Sequence, residues 1–245
     1  MATNAEAVEH GHGHAPEAAH EALAHHFDNL EQQREAGVLG MWVFIAQEVM
    51  FFGGLFLAYL IYRMNYPRAF MAASNHLNWT IGTFNTAVLI TSSLTMALAV
   101  WATQTGRKPK VQVAFMAATV LLGLTFLGVK AYEYNEKYRD GLIPIAGWFQ
   151  PHAELVHNWT AAGVTVQNVQ MFYWLYFAMT GLHALHMIIG IIIIAPIMWW
   201  AWRGRYSPEY HSPVENFGLY WHFVDIIWIF LFPLLYLLGA HFGKH

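Results

Sequence analysis

The chain has 245 residues, of which 57% are hydrophobic, 16% aromatic and only 11% charged. Soluble domains carry about 25% charged residues, so this composition excludes a soluble globular enzyme. The formal net charge is −3, and the scattered lysines and arginines form no basic surface of the kind that binds nucleic acid. Because the chain has no cysteine, disulfides, thiolate metal sites, iron–sulfur clusters and cysteine nucleophiles are excluded too.

Residues 1–35 form a polar segment that is rich in histidine, alanine and glutamate. Imidazoles on a flexible backbone chelate transition metals, so His10, His12 and His14 are a candidate metal-binding motif. The alternative is a solvated, disordered leader whose histidines have no function. The segment lacks the basic start and apolar core of a secretory signal. We therefore predict a polar N-terminal tail, followed by a membrane domain over residues 36–245.

Five segments reach the roughly 20 apolar residues that a membrane-spanning helix needs. Their approximate limits are 38–62, 80–102, 111–134, 171–202 and 216–242. They predict an all-α membrane protein whose five transmembrane helices pack as a bundle. Basic residues near the helix ends decide the orientation. They divide equally between the two sides, but their concentration in the short loops around 103–110 and 203–215 favours a cytoplasmic N-terminus.

Ionisable side chains at membrane depth cost about 2.5–3.5 kcal/mol on insertion scales, so each is a functional hypothesis. The set comprises Glu48, Lys130, Glu133, His183, His186, His222 and Asp225. His183 and His186 are three residues apart, as are His222 and Asp225. This spacing predicts that each pair shares a helical face and contacts other protein.

Three interpretations of these groups remain open. Paired histidines bind haem or metal in some helical bundles, but His222 lies near the start of its helix whereas His183 and His186 lie near the middle of theirs. Buried carboxylates and histidines also form proton paths in transporters, although the chain shows no internal repeat. The third interpretation is polar packing between helices. Small or hydroxylated residues on the second and fourth segments, including Ser92, Ser93, Thr180, Gly181 and Gly190, favour this last role.

The fifth predicted helix reads Tyr-Trp-His-Phe-Val-Asp-Ile-Ile-Trp-Ile-Phe-Leu-Phe at 220–232. It resembles the signature helix of haem–copper oxidase subunit III, the cytochrome c oxidase subunit 3 family, in a five-helix form. The fourth helix, Thr-Gly-Leu-His-Ala-Leu-His-Met-Ile-Ile-Gly at 180–190, is similar to the family's Thr-Gly-x-His-Gly-x-His-x-x-x-Gly. Shorter similarities occur at Glu-Val-Met-Phe-Phe (48–52), Asn-Thr (85–86), Ser-Ser (92–93) and Tyr-Glu-Tyr (132–134).

The resemblance implies a non-catalytic subunit of a proton-pumping terminal oxidase in aerobic respiration. Haem and copper would be held by the catalytic subunit I, with subunit II beside it, and this chain would have no cofactor of its own. The family is associated with bound phospholipid, proton delivery to subunit I and protection of the complex during turnover. Glu48 matches the family's buried carboxylate, and Glu133, His183, His186, His222 and Asp225 match its other intramembrane polar positions.

Two departures from the family pattern bear on these expectations. Many members have seven helices, and their first two form one wall of a lipid-filled cleft, whereas this chain has room for the last five. Five-helix chains also resemble subunits of quinol oxidases and an accessory protein associated with nitric oxide reductase. The resemblance is therefore compatible with cytochrome c or a quinol as electron donor, or with an accessory or assembly role. In each case the expected location is a bacterial plasma membrane.

Overall fold

The computed structural model describes residues 27–145 and 147–240. Seven helices lie within them: α1 Leu30–Asn65, α2 Pro67–Asn75, α3 Trp79–Gln104, α4 Pro109–Arg139, α5 Ala153–Ala161, α6 Val166–Trp202 and α7 Ser212–Ala240. Five of them, α1, α3, α4, α6 and α7, are long and apolar enough to cross a membrane. The predicted all-α fold with five transmembrane helices is confirmed.

Several helices extend beyond the apolar segments because local polar signals fix their starts. The Asn29 side chain accepts a hydrogen bond from the backbone N–H of Gln32 at the start of α1. Asn78 accepts from the N–H groups of the first turn of α3, as an N-cap residue does. The last residues of the predicted N-terminal tail are thus helical from Leu30 onward. The candidate metal-binding motif at His10, His12 and His14 lies outside the described residues.

Four of the long helices form a closed bundle. In this bundle α3 packs on α4, α4 on α6, α6 on α7 and α7 on α3. Helix α1 lies outside it, against α7 and α6, and the short helix α2 contacts α1, α6 and α7. Of the 36 residues in α1, the buried ones are Glu48, Phe52 and Tyr59. A few contacts therefore hold α1 on the bundle.

Two hydrogen bonds hold α1 and α2 near the C-terminal end of α7. The Tyr59 hydroxyl donates to the backbone carbonyl of Leu234 at 2.7 Å, and the Ser74 hydroxyl donates to that of Leu235 at 2.6 Å. Both carbonyls follow Pro233, which lies inside α7. Interhelical bonds of this kind are worth about 0.6 kcal/mol on average in membranes.

The bundle core is centred on Trp221, which is fully buried. Its ring lies between two glycines of neighbouring helices: a Cβ added at Gly190 would lie 2.9 Å from the ring, and one added at Gly123 would lie 3.0 Å from it. The indole N–H donates to the Ser92 hydroxyl at 2.9 Å. The small residue expected at position 190 thus makes room for an indole. At Gly181, by contrast, an added Cβ would meet only the Tyr134 hydroxyl, at 3.8 Å.

Candidate functional site

The first polar contact inside the membrane joins α1 to α6. Glu48 is 8% exposed, and its Oε2 lies 3.2 Å from Nε2 of His186. The two atoms are close but not aligned as a hydrogen bond. The Phe52 ring packs edge-on against the same imidazole, with centroids 5.3 Å apart. Glu48 and Phe52 therefore place α1 directly over His186.

The other ring nitrogen of His186 already makes a hydrogen bond. Its Nδ1 lies 2.8 Å from the backbone carbonyl of Leu182, and a carbonyl only accepts, so Nδ1 carries a proton and donates it. Nε2 is therefore the ring nitrogen that faces the Glu48 carboxyl group. The Tyr220 hydroxyl also donates to the His186 backbone carbonyl at 2.8 Å.

A second cluster lies in the bundle core around a buried lysine. Lys130 on α4 is 3% exposed, and Glu133, one turn later, is 1% exposed. The Lys130 ammonium donates to Glu133 Oε2 at 2.9 Å. It also donates to the hydroxyls of Tyr176 on α6 and Tyr236 on α7, at 3.1 and 2.9 Å. Three ammonium hydrogens thus have three acceptors.

The two tyrosines complete the network on the carboxylate side. Their hydroxyls donate to Glu133 Oε1, at 2.9 Å from Tyr176 and 2.6 Å from Tyr236. The ammonium also lies over the rings of Tyr134, Tyr176, Trp228 and Tyr236, at 5.1 to 5.6 Å from their centroids. Cation–π attraction adds to the ion pair at such distances. The cluster therefore joins α4, α6 and α7 through a hydrogen-bonded ion pair in an aromatic cage.

His183 lies deeper in the bundle than His186. It is fully buried between the rings of Phe126 and Trp228, at centroid distances of 5.3 and 5.2 Å. Neither ring nitrogen has a hydrogen-bond partner among the residues that the structure describes. Three residues advance a helix about 60° short of a full turn. As a result, His183 and His186 meet different neighbours, although they lie on the same side of α6.

The third polar group lies between α3 and α7. Nδ1 of His222 and the Ser93 hydroxyl share a 2.6 Å hydrogen bond. Asp225, one turn further along α7, is 3% exposed, yet neither of its carboxylate oxygens has an aligned hydrogen-bond partner among the described residues. Ser93 also lies near Asp225. When Nδ1 of His222 carries the proton, the Ser93 hydroxyl accepts from it and can donate its single hydrogen to one oxygen of Asp225. Asp225 therefore keeps at least one free acceptor oxygen.

The ionisable residues singled out in the sequence thus lie in four places: three polar groups and the aromatic site of His183. The sequence did not indicate the tyrosine partners of Lys130 and Glu133, because Tyr176 and Tyr236 belong to distant helices. The spacing of Lys130 and Glu133 is a signal that could have predicted their ion pair, since residues three apart are neighbours on a helix. Among the described residues, no three His, Asp or Glu side chains converge as a metal site would require.

These observations define a class: a helical integral membrane protein whose buried polar groups join its helices. Comparison with known proteins gives the family. The family model for cytochrome c oxidase subunit III matches residues 20–139 and 149–240, which include all five long helices. The chain belongs to the cytochrome c oxidase subunit III family, and the predicted resemblance is confirmed.

Individual relatives agree with this assignment. Cytochrome c oxidase subunit 3 of Thermostichus vulcanus is 31% identical over 212 residues, which cover 86% of this chain and 92% of the relative. The protein of the same name from Corynebacterium diphtheriae is 31% identical over 81% of this chain and 86% of its own length. The probable quinol oxidase subunit 3 of Staphylococcus saprophyticus is 27% identical over 90% of this chain and all of its own length.

Proposed function

We propose that this chain is the non-catalytic subunit III of a proton-pumping haem–copper terminal oxidase of the cytochrome c oxidase type. The observation that carries the proposal is the family match across all five long helices. In this role haem and copper are held by the catalytic subunit I, subunit II completes the core, and this chain contributes no redox centre. Its part in aerobic respiration is to support assembly, lipid binding and proton delivery to subunit I.

We assign a role to each polar group from the contacts that it makes. The Lys130–Glu133 cluster and His183 lie inside the bundle and serve its packing. Glu48 and His186 lie at the contact between the bundle and α1, a helix held by few other buried residues. This pair of polar side chains lies where α1 and the bundle meet. We therefore assign proton supply or phospholipid contact to Glu48 and a supporting role to His186.

The proposed location is the plasma membrane of a bacterium, with the N-terminus in the cytoplasm. The relatives named above are bacterial, which supports the first part. The orientation is supported by the basic residues of the two short loops, namely Arg107, Lys108, Lys110, Arg203 and Arg205, since basic loops stay on the cytoplasmic side.

A quinol oxidase is the second candidate. The specific observation in its favour is that the Staphylococcus saprophyticus relative aligns over its whole length. The two candidates differ in the electron donor used by the other subunits, so they make the same demands on this chain. Oxygen consumption by the purified complex, with reduced cytochrome c or with a quinol, distinguishes them.

The proposed function is tested by purifying the complex through an affinity tag on this chain. We expect haem and copper to accompany the chain at constant stoichiometry through successive columns in mild detergent. Loss of the chain from the haem-containing fractions would contradict a permanent subunit and favour an accessory or assembly role.

We expect residues 36–245, purified alone, to bind neither haem nor stoichiometric copper. The physical reason is that His183 lies in an aromatic core, while His186 and His222 have other partners. An absorption spectrum and a metal analysis of the purified chain measure this. Copper retained only when residues 1–35 are present is compatible with the expectation, because His10, His12 and His14 can chelate. A haem band at about one per chain contradicts it.

We expect Glu48→Gln to leave the initial rate of oxygen consumption largely intact and Glu48→Ala to shorten the active lifetime of the complex. Glutamine keeps the size and polarity of the side chain beside Nε2 of His186, whereas alanine removes the contact that holds the middle of α1 on α6. Time courses of oxygen consumption, on samples matched for subunit content, separate the two effects.

The matched control for this experiment is Met50→Ala. Met50 lies two residues from Glu48 on the same helix and is 72% exposed, so its loss should change neither rate nor lifetime. A role for Glu48 in packing alone predicts that both Glu48 variants change only the amount of subunit retained. Loss of initial activity by Glu48→Gln in a fully assembled complex contradicts the proposed role.

A further inference from the structure

An open groove of about 430 Å³ runs along the outer surface of the bundle between α3 and α7. Its walls are apolar, with Ile90 and Leu94 on one side and Ile226 and Ile229 on the other. These four side chains are 45–59% exposed. We name this feature the α3–α7 groove and define it by the residues that line it, including Ser93, Ala97, His222 and Asp225.

The floor of the α3–α7 groove carries a buried carboxyl group that this chain leaves incompletely paired. Asp225 is 3% exposed and lines the groove, and its two oxygens have no aligned hydrogen-bond donor among the described residues. A buried polar group without a partner costs about 1–3 kcal/mol or more, and the cost is greater when water is absent. The groove therefore requires an occupant that supplies a donor at this depth.

Phospholipid does not meet that requirement. Glu215, which accepts a hydrogen bond from the Gln104 side chain at 2.8 Å, marks the polar end of α3 and α7. Asp225 follows Glu215 by ten residues, about 15 Å along a helix axis, which is half of the roughly 30 Å hydrocarbon core. Lipid headgroups remain at the surface, and acyl chains have no hydrogen-bond donors.

A second copy of this chain, docked through the same surface, meets the requirement in one arrangement alone. A twofold symmetric contact would bring the same groove of each copy together. The two Asp225 carboxyl groups would then have to be protonated and meet in register, with each O–H donating to the other carboxyl group. A transmembrane helix of a different polypeptide can instead supply a hydroxyl, amide or indole N–H at mid-membrane depth.

We propose that the α3–α7 groove receives a transmembrane helix of a partner subunit, and that a hydrogen-bond donor on this helix pairs with Asp225 at mid-membrane depth. The inference rests on the proposed function, because it needs a permanent partner in the oxidase. Ser93 and Ala97 are small and let a helix approach closely, as in membrane helix pairs generally. The exposed isoleucines and leucine provide apolar contact on both sides of the donor.

The first test is photocrosslinking within the assembled complex. Benzoylphenylalanine replaces Leu94 or Ile229 in the groove, or Ile192, a 65% exposed residue of α6, as the control. After irradiation in native membranes, adducts are purified and identified by mass spectrometry. We expect the two groove positions, but not Ile192, to form adducts with another polypeptide of the haem-containing complex.

Other crosslinking results overturn the inference in different ways. Lipid adducts alone from Leu94 and Ile229 mean that the groove faces the bilayer, and an adduct between two copies of this chain means a homomeric contact. In both cases the proposed function stands if the unsubstituted chain still accompanies haem and copper. Should the unsubstituted chain accompany no haem-containing complex, the proposed function itself fails.

The second test addresses the donor to Asp225. We expect Asp225→Leu to weaken retention of this chain by the complex about three- to tenfold, because one interhelical hydrogen bond is lost. Asp225→Asn keeps an acceptor oxygen and should be retained like the unsubstituted chain. The control is Thr91→Leu, since Thr91 is exposed on α3 outside the groove and its hydroxyl bonds within its own helix. Unchanged retention of Asp225→Leu contradicts the proposed donor.

Discussion

Replacing Lys130 with methionine is expected to lower the free energy of unfolding by about 3–5 kcal/mol, the cost of breaking a buried ion pair by removing one partner. Methionine has a similar length and fills most of the same space. The loss therefore reports on charge and hydrogen bonding: the Glu133 carboxylate would keep its two tyrosine donors but would lose the cation that neutralises it. Glu133→Gln should also destabilise the chain, because the Lys130 ammonium then lacks its counter-charge and the amide N–H replaces one acceptor oxygen.

Unfolding of the chain in mixed micelles, followed by tryptophan fluorescence, measures the effect of Lys130→Met. The control is Lys108→Met, which removes a charge from an exposed loop and should change stability by less than about 0.5 kcal/mol. The double variant Lys130→Met with Glu133→Leu should recover much of the loss, because an apolar pair can replace a buried ion pair. A Lys130→Met protein as stable as the unsubstituted chain would show that the cluster does not stabilise the bundle.

Hydropathy predicted the five crossings because length and apolar content can be read from the sequence directly. It could not place α1 outside the bundle, because the first segment is as apolar as the others. The separation appears only in how little of α1 is buried. The short helices α2 and α5 were not predicted, because nine residues are too few to give a clear periodic pattern of apolar side chains.

The polar groups were found because an ionisable residue in an apolar segment is visible in the sequence. Their partners were not found, since they depend on how each helix rotates about its axis. Glu48 meets His186 across 138 residues, and nothing local in either segment indicates that pairing. Asp225 differs from Glu48 and His186, because its oxygens have no aligned donor among the described residues. The residue stays predicted as an intramembrane packing group, and the contact proposed for it in the α3–α7 groove assigns the partner to another subunit.

Removing the indole at the centre of the bundle should have an effect as large as breaking the ion pair. We expect Trp221→Ala to lower the free energy of unfolding by about 3–5 kcal/mol, because a large cavity replaces a fully buried side chain. Trp221→Phe should cost less: it keeps most of the apolar contact but leaves the Ser92 hydroxyl without the indole donor. Trp202→Ala is the control, since Trp202 is 63% exposed at the end of α6.

A double-mutant cycle tests whether position 190 requires glycine because the Trp221 indole packs against it. Gly190→Ala places a Cβ 2.9 Å from the Trp221 ring, and overpacking of this kind costs about 1–3 kcal/mol. In the Trp221→Phe background the smaller ring leaves space, so Gly190→Ala should cost clearly less than in the unsubstituted chain. The same micelle unfolding assay gives both differences. Residues in contact give non-additive changes in stability, whereas independent sites give additive ones. If Gly190→Ala costs the same in both backgrounds, the Trp221 ring is not the reason that position 190 requires glycine.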